Sequence, residues 1–399
     1  MTNKVAFLAC DSYEKNLVYE KLKRLTEYIP PENVAGKTVL IKPNLLLPKK
    51  PESAVCTHPS VTAAAVRVFL DLGAARVIVG ESPAVSDSLS TAKFTGTYDA
   101  ITEAGGEWVS FVHGTDVQCP EGKLIKKCTF ASVFAEADIV VSVAKLKTHQ
   151  LMAYTGAMKN LFGLMVGLDK AQSHFRFPER ENFSAFLTDI IVAAKPSYAI
   201  MDAVTAMDGK GGPGNGNPVD VHVLAASDNI LALDCACAKL VGYDPLKIGN
   251  LWDALERNIW LRSVDDIEYV ADDFTSLKPK KFEIVKSTRA SALLKPYMPK
   301  FIHDIATWIC TRYPIFTTSC KLCGECVKIC PAQALSVKRK VYIKAQRCLG
   351  CGNCKEECPS AKPIEEKKII LDAKKCLHCY CCHEICSHNA IKLKRLFIG

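Results

Sequence analysis

The chain has 399 residues, 20 of them cysteine, with 51 Lys+Arg against 42 Asp+Glu for a formal charge of +9. That length points to two or three domains, and a composition 49% apolar supports a sizeable core, so a small disulfide-stapled scaffold is excluded. No run of 18 apolar residues occurs, and the short apolar stretch 5–10 is followed at once by Asp11, Glu14 and Lys15; neither a membrane-spanning helix nor an export signal is expected, which places the chain in the cytoplasm with reduced thiols.

In chain order, the stretch 5–10 reads as a first β-strand. Residues 39–41 form an apolar, mostly β-branched run followed by Lys-Pro-Asn, and 60–72 repeat apolar residues at helical spacing until Gly73. Strand patterns return at 77–79, 137–143, 199–203 and 221–226, with helical patterns at 183–194 and 230–241. Strands alternating with helices predict an α/β domain over 1–245, built on a mainly parallel sheet with flanking helices. Residues 246–315 read as a helical connector: 250–262 is helical in pattern, 265–273 acidic and 278–281 basic. The aromatic stretch 301–318, broken by His303, Asp304, Arg312 and Pro314, is expected as a packing helix rather than an anchor.

The tail, 316–399, contains an internal repeat. Cys320, Cys348 and Cys376 open three motifs at a constant period of 28 residues. The first reads Cys320-x2-Cys323-x2-Cys326-x3-Cys330, the second Cys348-x2-Cys351-x2-Cys354-x3-Cys358, the third Cys376-x2-Cys379-x2-Cys382-x3-Cys386. Each is the bacterial ferredoxin run: three cysteines two apart wrap three corners of one cubane, and the fourth usually reaches the neighbouring cluster. Zinc prefers pairs of Cys-x2-Cys separated by a longer loop, which three consecutive runs do not match. The tail is therefore expected as a small α+β ferredoxin-like domain carrying [4Fe–4S] clusters, two or three of them, with three the preferred count. Ligand exchange works in pairs, so runs one and two could pair, or runs two and three. Pro331 and Pro359 follow the fourth cysteine in two runs, and Ser387 replaces proline in the third. Cys310 and Cys381 are spare thiols, and Cys381 reads as a bystander because Cys382 keeps the spacing. Cys10, Cys56, Cys119, Cys128, Cys235 and Cys237 lack ligand spacing and read as small buried hydrophobes.

Charge agrees with that assignment. Residues 320–399 hold 16 basic and 7 acidic side chains, leaving 35 of each sign before them. Each four-thiolate cluster contributes roughly two negative charges, so the lysines read mainly as compensation and as a docking face for an acidic redox partner protein. No basic patch interleaved with aromatics favours nucleic acid, and no membrane contact is expected.

Function in an α/β sheet sits at the carboxyl ends of the strands. Polar groups recur there: Lys42 and Asn44, His58, Glu81, then Lys145, Lys147 and His149, then Lys159 and Asn160, His174, Asp202, and the glycine-rich loop from Asp208. Singly, a lysine after a strand is usually solvated, a histidine structural and a glycine loop merely flexible, and this loop lacks a phosphate-loop ending. Together they describe a cleft for an anionic small molecule, a carboxylate or phosphate held by charge-assisted hydrogen bonds. Glu81, Asp202 and Asp208 could hold a cation or exchange protons, and His149 and His174, with Lys147, are the catalytic candidates.

Lys42-Pro43-Asn44-Leu45, Thr57-His58-Pro59, Lys145-Leu146-Lys147-Thr148-His149, Met158-Lys159-Asn160-Leu161-Phe162-Gly163, the loop ending Gly212-Pro213-x-x-Gly216, and Cys379-Tyr380-Cys381-Cys382-His383-Glu384 resemble the domain of unknown function 362 family. The resemblance implies an α/β domain fused to ferredoxin-type cluster motifs, common in anaerobic bacteria and archaea; it supplies no reaction. Members with two cluster motifs are usual, so the middle run is expected to be the additional one. The combined expectation is a redox protein, with clusters passing single electrons and the α/β domain binding an anion, which allows an iron–sulfur oxidoreductase. The alternatives are an electron-transfer adaptor or cofactor carrier, and a ligase or transferase with structural clusters.

Overall fold

Alternating apolar residues build strands whose two faces feed two separate cores. The computed structural model describes residues 2–83, 87–166, 173, 176–177, 179–285, 312–330, 333–342, 364–372, 375–376, 380, 382–383, 386–388 and 390–395. The chain divides into two units, Met1–Ile305 and Ala306–Gly399.

The first unit begins with β1 (Lys4–Ala9), α1 (Lys15–Tyr28), β2 (Thr38–Pro43), α2 (Pro59–Asp71), β3 (Arg76–Glu81), α3 (Ser88–Phe94), α4 (Thr97–Glu103) and β4 (Glu107–Ser110). A small hairpin follows, β5 (Gly114–Gln118) and β6 (Lys127–Ala131), then β7 (Ile139–His149), β8 (Ala153–Thr155) and α5 (Ala157–Asn160). The remainder is α6 (Arg180–Ala194), β9 (Tyr198–Asp208), β10 (Asn217–Ser227), α7 (Ile230–Leu240), α8 (Gly249–Glu256) and β11 (Glu268–Ala271).

The main sheet runs β11-β1-β10-β9-β7-β2-β3-β4, with β8 paired to β7. Strands β9, β7, β2, β3 and β4 are parallel, whereas β10 is antiparallel to both β9 and β1. The chain lays down β2, β3 and β4 in one direction, then returns to β7 on the other side of β2. That reversal between β2 and β7 is a topological switch point, where the carboxyl ends of neighbouring strands open a crevice.

Strand alternation decides which residues meet which helices. Leu40, Ile78, Val140 and Ala144 join the core under α6 and α7, and Val39, Ile41, Val77, Val141 and Val143 join the core under α1 and α2. In α1, Val18, Leu22 and Leu25 share one face and are buried, and the Glu14 carboxylate caps its start by accepting the Asn16 and Leu17 N–H groups. Helix α2 begins with Pro59 at a position that needs no N–H and ends before Gly73, whose φ of +89° a side chain would resist.

Several stretches differ from the sequence reading. Strand β7 runs on to His149 instead of ending at 143, because both β8 and β9 pair with its far half. The helix expected over 250–262 is α8, and the chain leaves it through Asn258 and Trp260 at φ of 52° and 64°. Beyond it, β11 joins the sheet edge parallel to β1, a four-residue strand whose pairing is wholly non-local.

The second unit comprises β12 (Arg312–Phe316), α9 (Glu325–Ile329), β13 (Leu335–Tyr342), β14 (Ile364–Leu371) and β15 (Ile391–Arg395). Strand β12 pairs antiparallel with β15, and β13 antiparallel with β14. This is a small α+β ferredoxin-like domain, with Cys326, Leu335, Ile369, Cys382 and Ile391 in its core. Of the packing helix expected over 301–318, residues 301–311 lie outside the described residues, and Arg312–Phe316 is strand instead. No described helix is long and apolar enough to cross a membrane.

Leu22 is 1% exposed at the centre of the α1 contact. We expect Leu22→Ala to lower unfolding stability by about 3 kcal/mol in urea titration, the sum of lost transfer energy and the cavity left behind.

Candidate functional site

Three lysines on strands β2 and β7 are buried: Lys42 is 0% exposed, Lys145 1% and Lys147 1%. A buried ammonium group must find partners, and each does. The Lys42 ammonium pairs with the Glu81 carboxylate at the end of β3 and donates to Asn160 Oδ1 at 3.1 Å and to the Pro43 carbonyl at 2.8 Å. Lys147 donates to Asn44 Oδ1 at 2.7 Å and to the Val55 carbonyl at 2.6 Å. The two amides connect these lysines, since Asn44 Nδ2 donates to Asn160 Oδ1 at 3.4 Å. Asn160 Nδ2 in turn donates to Ser142 Oγ and the Lys42 carbonyl, at 3.1 and 2.9 Å. A side chain at Gly163 would run into Lys42 and Glu81, so that glycine allows the close approach. Burial lowers the pKa of Lys42, and the Glu81 charge opposes that shift.

Lys145 stands directly opposite Asp202 on β9 and pairs with it at 2.9 Å. The register then slips: Lys147 faces Met207, a bulge that turns the far half of β9. Asp202 also accepts from the Tyr13 hydroxyl at 2.8 Å and from the His58 backbone N–H at 2.9 Å, and Lys145 donates to the Tyr13 oxygen at 2.7 Å. The His58 ring stacks on Tyr13 at 3.6 Å between centroids, and its Nδ1 accepts the Ser60 N–H at 3.2 Å as the cap of α2. Burial pushes the Tyr13 phenol well up, with the Asp202 charge adding to it, and lowers Lys145, with Asp202 opposing. Burial first, offset in part by Asp202, brings the His58 imidazole down to about 4.

Lys42, Asn44, Glu81, Lys147 and Asn160 thus share one network, and His58, Lys145 and Asp202 share a second. The remaining candidates stand apart. His149 is buried in the β7–β8 hairpin, where Nδ1 accepts the Leu151 and Met152 N–H groups at 3.1 and 3.2 Å; in the neutral ring the proton is then on Nε2. Asp208 accepts the Glu283 N–H at 2.7 Å, and Lys159 is half-buried on α5. His174 lies outside the described residues. Glu81 pairs with Lys42 and Asp202 with Lys145, and among the described residues no three His, Cys, Asp or Glu side chains converge on a single metal ion.

Sequence reasoning missed Tyr13, whose loop carries no motif, and Asp234. The Asp234 carboxylate accepts the Ala157 and Met158 N–H groups at 2.6 and 2.9 Å and so holds the start of the short helix that delivers Asn160. Burial pushes that carboxyl up to about 7, against the pull of the two N–H groups.

In the second unit Cys320, Cys323, Cys326 and Cys386 line one small cavity together with Ile369, Ala390 and Ile391. The donor set suits an iron–sulfur cluster: four cysteines beside Ile369, Ala390 and Ile391, with Lys321, Glu325 and His388 completing the lining, and backbone N–H groups donating to cysteine sulfur nearby. Ala334 N–H donates to Cys330 Sγ and Ala390 N–H to Cys386 Sγ, both at 3.2 Å. Burial, then the neighbouring sulfurs of Cys320, Cys323 and Cys386, pushes the Cys326 thiol up to about 11, so a cationic centre is what holds it as thiolate. Cys376 and Cys382 are also described; Cys348, Cys351, Cys354, Cys358 and Cys379 lie outside the described residues.

Fold and sites define an α/β lysine-edge domain followed by a ferredoxin-type module. The family described as Domain of unknown function (DUF362) matches residues 39–239, more than half of the chain, and the protein belongs to that family. A second match, to a 4Fe-4S dicluster domain, covers residues 319–362. The chain is 29% identical over 259 residues to the thylakoid-associated protein sll1697 of Synechocystis sp., covering 63% of this chain and 78% of that protein. Among solved structures, it is similar to the lactate racemase apoprotein from Thermoanaerobacterium thermosaccharolyticum, at 16% identity and a TM-score of 0.38, covering 57% of this chain and 54% of that one. It is also similar to a protein from Thermotoga maritima, at 13% identity and a TM-score of 0.34, covering 53% and 55%. The chain spans about half the length of both solved structures.

Two expectations follow from the buried charges. Lys42→Met strands the Glu81 carboxylate without its ammonium and should cost about 3–5 kcal/mol in denaturant unfolding, whereas adding Glu81→Gln should recover most of the loss. His58 binds fewer protons folded than unfolded between its folded value of about 4 and the ordinary 6.5. The stability it contributes is present above pH 6.5 and is lost as pH falls through about 4. Because the ring is partly solvated, that loss should be on the order of 1 kcal/mol. His58→Asn, which keeps a capping acceptor, should flatten stability across the same window.

Proposed function

We propose that the protein is an iron–sulfur electron carrier whose α/β domain binds a small anion, a carboxylate or phosphate, at the carboxyl edge of β2 and β7. The observation that carries this reading is the gathering of three buried ammonium groups, Lys42, Lys145 and Lys147, at the one place in the sheet where strand order reverses. Burying lysine is costly, and an anion at this switch point would be met by Lys147, held by neutral acceptors, with Lys42 and Lys145 already paired to Glu81 and Asp202. The asparagine pair Asn44 and Asn160 holds two of the ammonium groups in fixed relation and adds neutral donors and acceptors.

The dicluster match supports single-electron transfer through the cysteine module, and a redox partner protein is the source or sink of those electrons. The described cysteines of the first unit are free and buried, as a reducing cytoplasm permits. If the bound anion is itself reduced, the lysines compensate the negative charge that builds on it. His149, whose neutral ring carries its proton on Nε2, is the imidazole that β7 itself offers for proton transfer.

Calorimetric titration of the anaerobically prepared holo protein with inorganic phosphate and with malonate tests the anion site. Binding should weaken with added salt, and Lys147→Met should lower affinity at least tenfold, about 1.4 kcal/mol. Iron content and bleaching by dithionite should stay unchanged in that variant. Equal binding by native and variant protein would overturn the anion reading; iron centres that dithionite cannot reduce would overturn the electron-transfer reading.

A further inference from the structure

We infer that the first cysteine run completes its cluster with a ligand from the third run rather than from its neighbour: Cys320, Cys323, Cys326 and Cys386 hold one [4Fe–4S] centre. Adjacency in sequence suggests pairing of runs one and two, or of two and three, and the dicluster match itself ends at residue 362. The tertiary structure supports neither grouping for the first centre. The cavity lined by Cys320, Cys323 and Cys326 is closed by Cys386, the last cysteine of the third run.

Strand pairing explains why. Strand β12, which leads into the first run, pairs along its whole length with β15, which leaves the third, from Arg312 opposite Arg395 to Phe316 opposite Ile391. Thr317 N–H then donates to the Ala390 carbonyl at 2.8 Å, tying the start of the first loop to the residue four past Cys386. On the other side β13 pairs with β14, from Leu335 opposite Leu371 to Tyr342 opposite Ile364. The whole middle run, Cys348 to Cys358, falls within the connection between those two strands.

The first and third runs also repeat each other's surroundings at twice the 28-residue period. Cys326 and Cys382 are both buried, and Cys330 and Cys386 each accept an N–H from the residue four later. The two halves of one pseudo-symmetric module are therefore the first and third runs, and the middle run is an insertion between them. It follows that Cys330 is not a ligand of the first run's own centre, which already has four sulfurs. Exchange of the fourth cysteine between clusters is the general habit of such runs; here it operates across an intervening run.

The inference rests on the cluster-binding reading, and additivity of cysteine substitutions tests it separately. Iron, acid-labile sulfide and electron paramagnetic resonance spectra would be measured on the full-length anaerobic protein carrying Cys320→Ala, Cys386→Ala or Cys358→Ala, and the pairs. Cys320→Ala and Cys386→Ala should damage the same centre, so their combination loses no more centres than either alone. Cys320→Ala with Cys358→Ala should damage two. The reverse pattern, with Cys358 non-additive and Cys386 additive, would overturn the assignment. Should alanine at Cys386 empty every centre, Cys320→Ser and Cys386→Ser, which retain an oxygen ligand, decide by perturbing the same resonance or different ones. Native protein without iron would sink the cluster reading itself, whereas native iron with the wrong additivity sinks only the pairing.

Discussion

Charge removed from water has to be matched where it sits, and in this protein that requirement organises the carboxyl edge of the sheet. The Lys42–Glu81 and Lys145–Asp202 pairs are both buried, so four strands, β2, β3, β7 and β9, have to arrive in a fixed register for the charges to meet. An apolar edge has no charges to align; this one leaves an uncompensated ion if any strand slides. The demand extends to short elements with little stability of their own. Helix α5 is four residues long, yet it must place Asn160 between Lys42 and Asn44, and the Asp234 carboxylate at its first N–H groups holds it there.

The cysteine module meets the same problem with the opposite sign. Burial and its sulfur neighbours raise the Cys326 thiol, and a cationic metal centre in the cavity would favour the thiolate it needs as a ligand. In the lysine edge the counter-charges are built into the chain, whereas in the module the compensating charge must be acquired. Folding of the module is therefore linked to cluster assembly, and the small apolar core of Leu335, Ile369 and Ile391 is modest without it.

A membership in a family without an assigned reaction leaves chemistry to be argued from the site. The lysine edge is polar, buried and located where strand order reverses, and the proposed anion site rests on that combination. In the proposed function, electron delivery and anion binding are compatible: an anion that is reduced gains negative charge, and fixed ammonium groups would stabilise that change without reorganising.

The α/β alternation, the principal strands and the helices at 60–72, 183–194 and 230–241 were legible from sequence, because apolar period is a local property that burial preserves. So was the cysteine chemistry, since ligand spacing reports the geometry of a cubane within one loop. Residue type and strand position also named Lys42, Asn44, Glu81, Lys145, Lys147, Asn160, His58 and Asp202 as polar candidates, and the structure brings them into shared hydrogen-bond networks. What lies across the chain was not legible: that these residues divide into two networks, that Tyr13 stacks on His58, that Gly163 leaves room for Lys42, and that β11 adds an edge strand. The same limit applies to Cys386 beside Cys320, Cys323 and Cys326. Spacing determines how a few consecutive residues wrap one object, but which distant run supplies the last ligand depends on strand pairing, and hydrogen bonds between strands carry no mark in the local sequence.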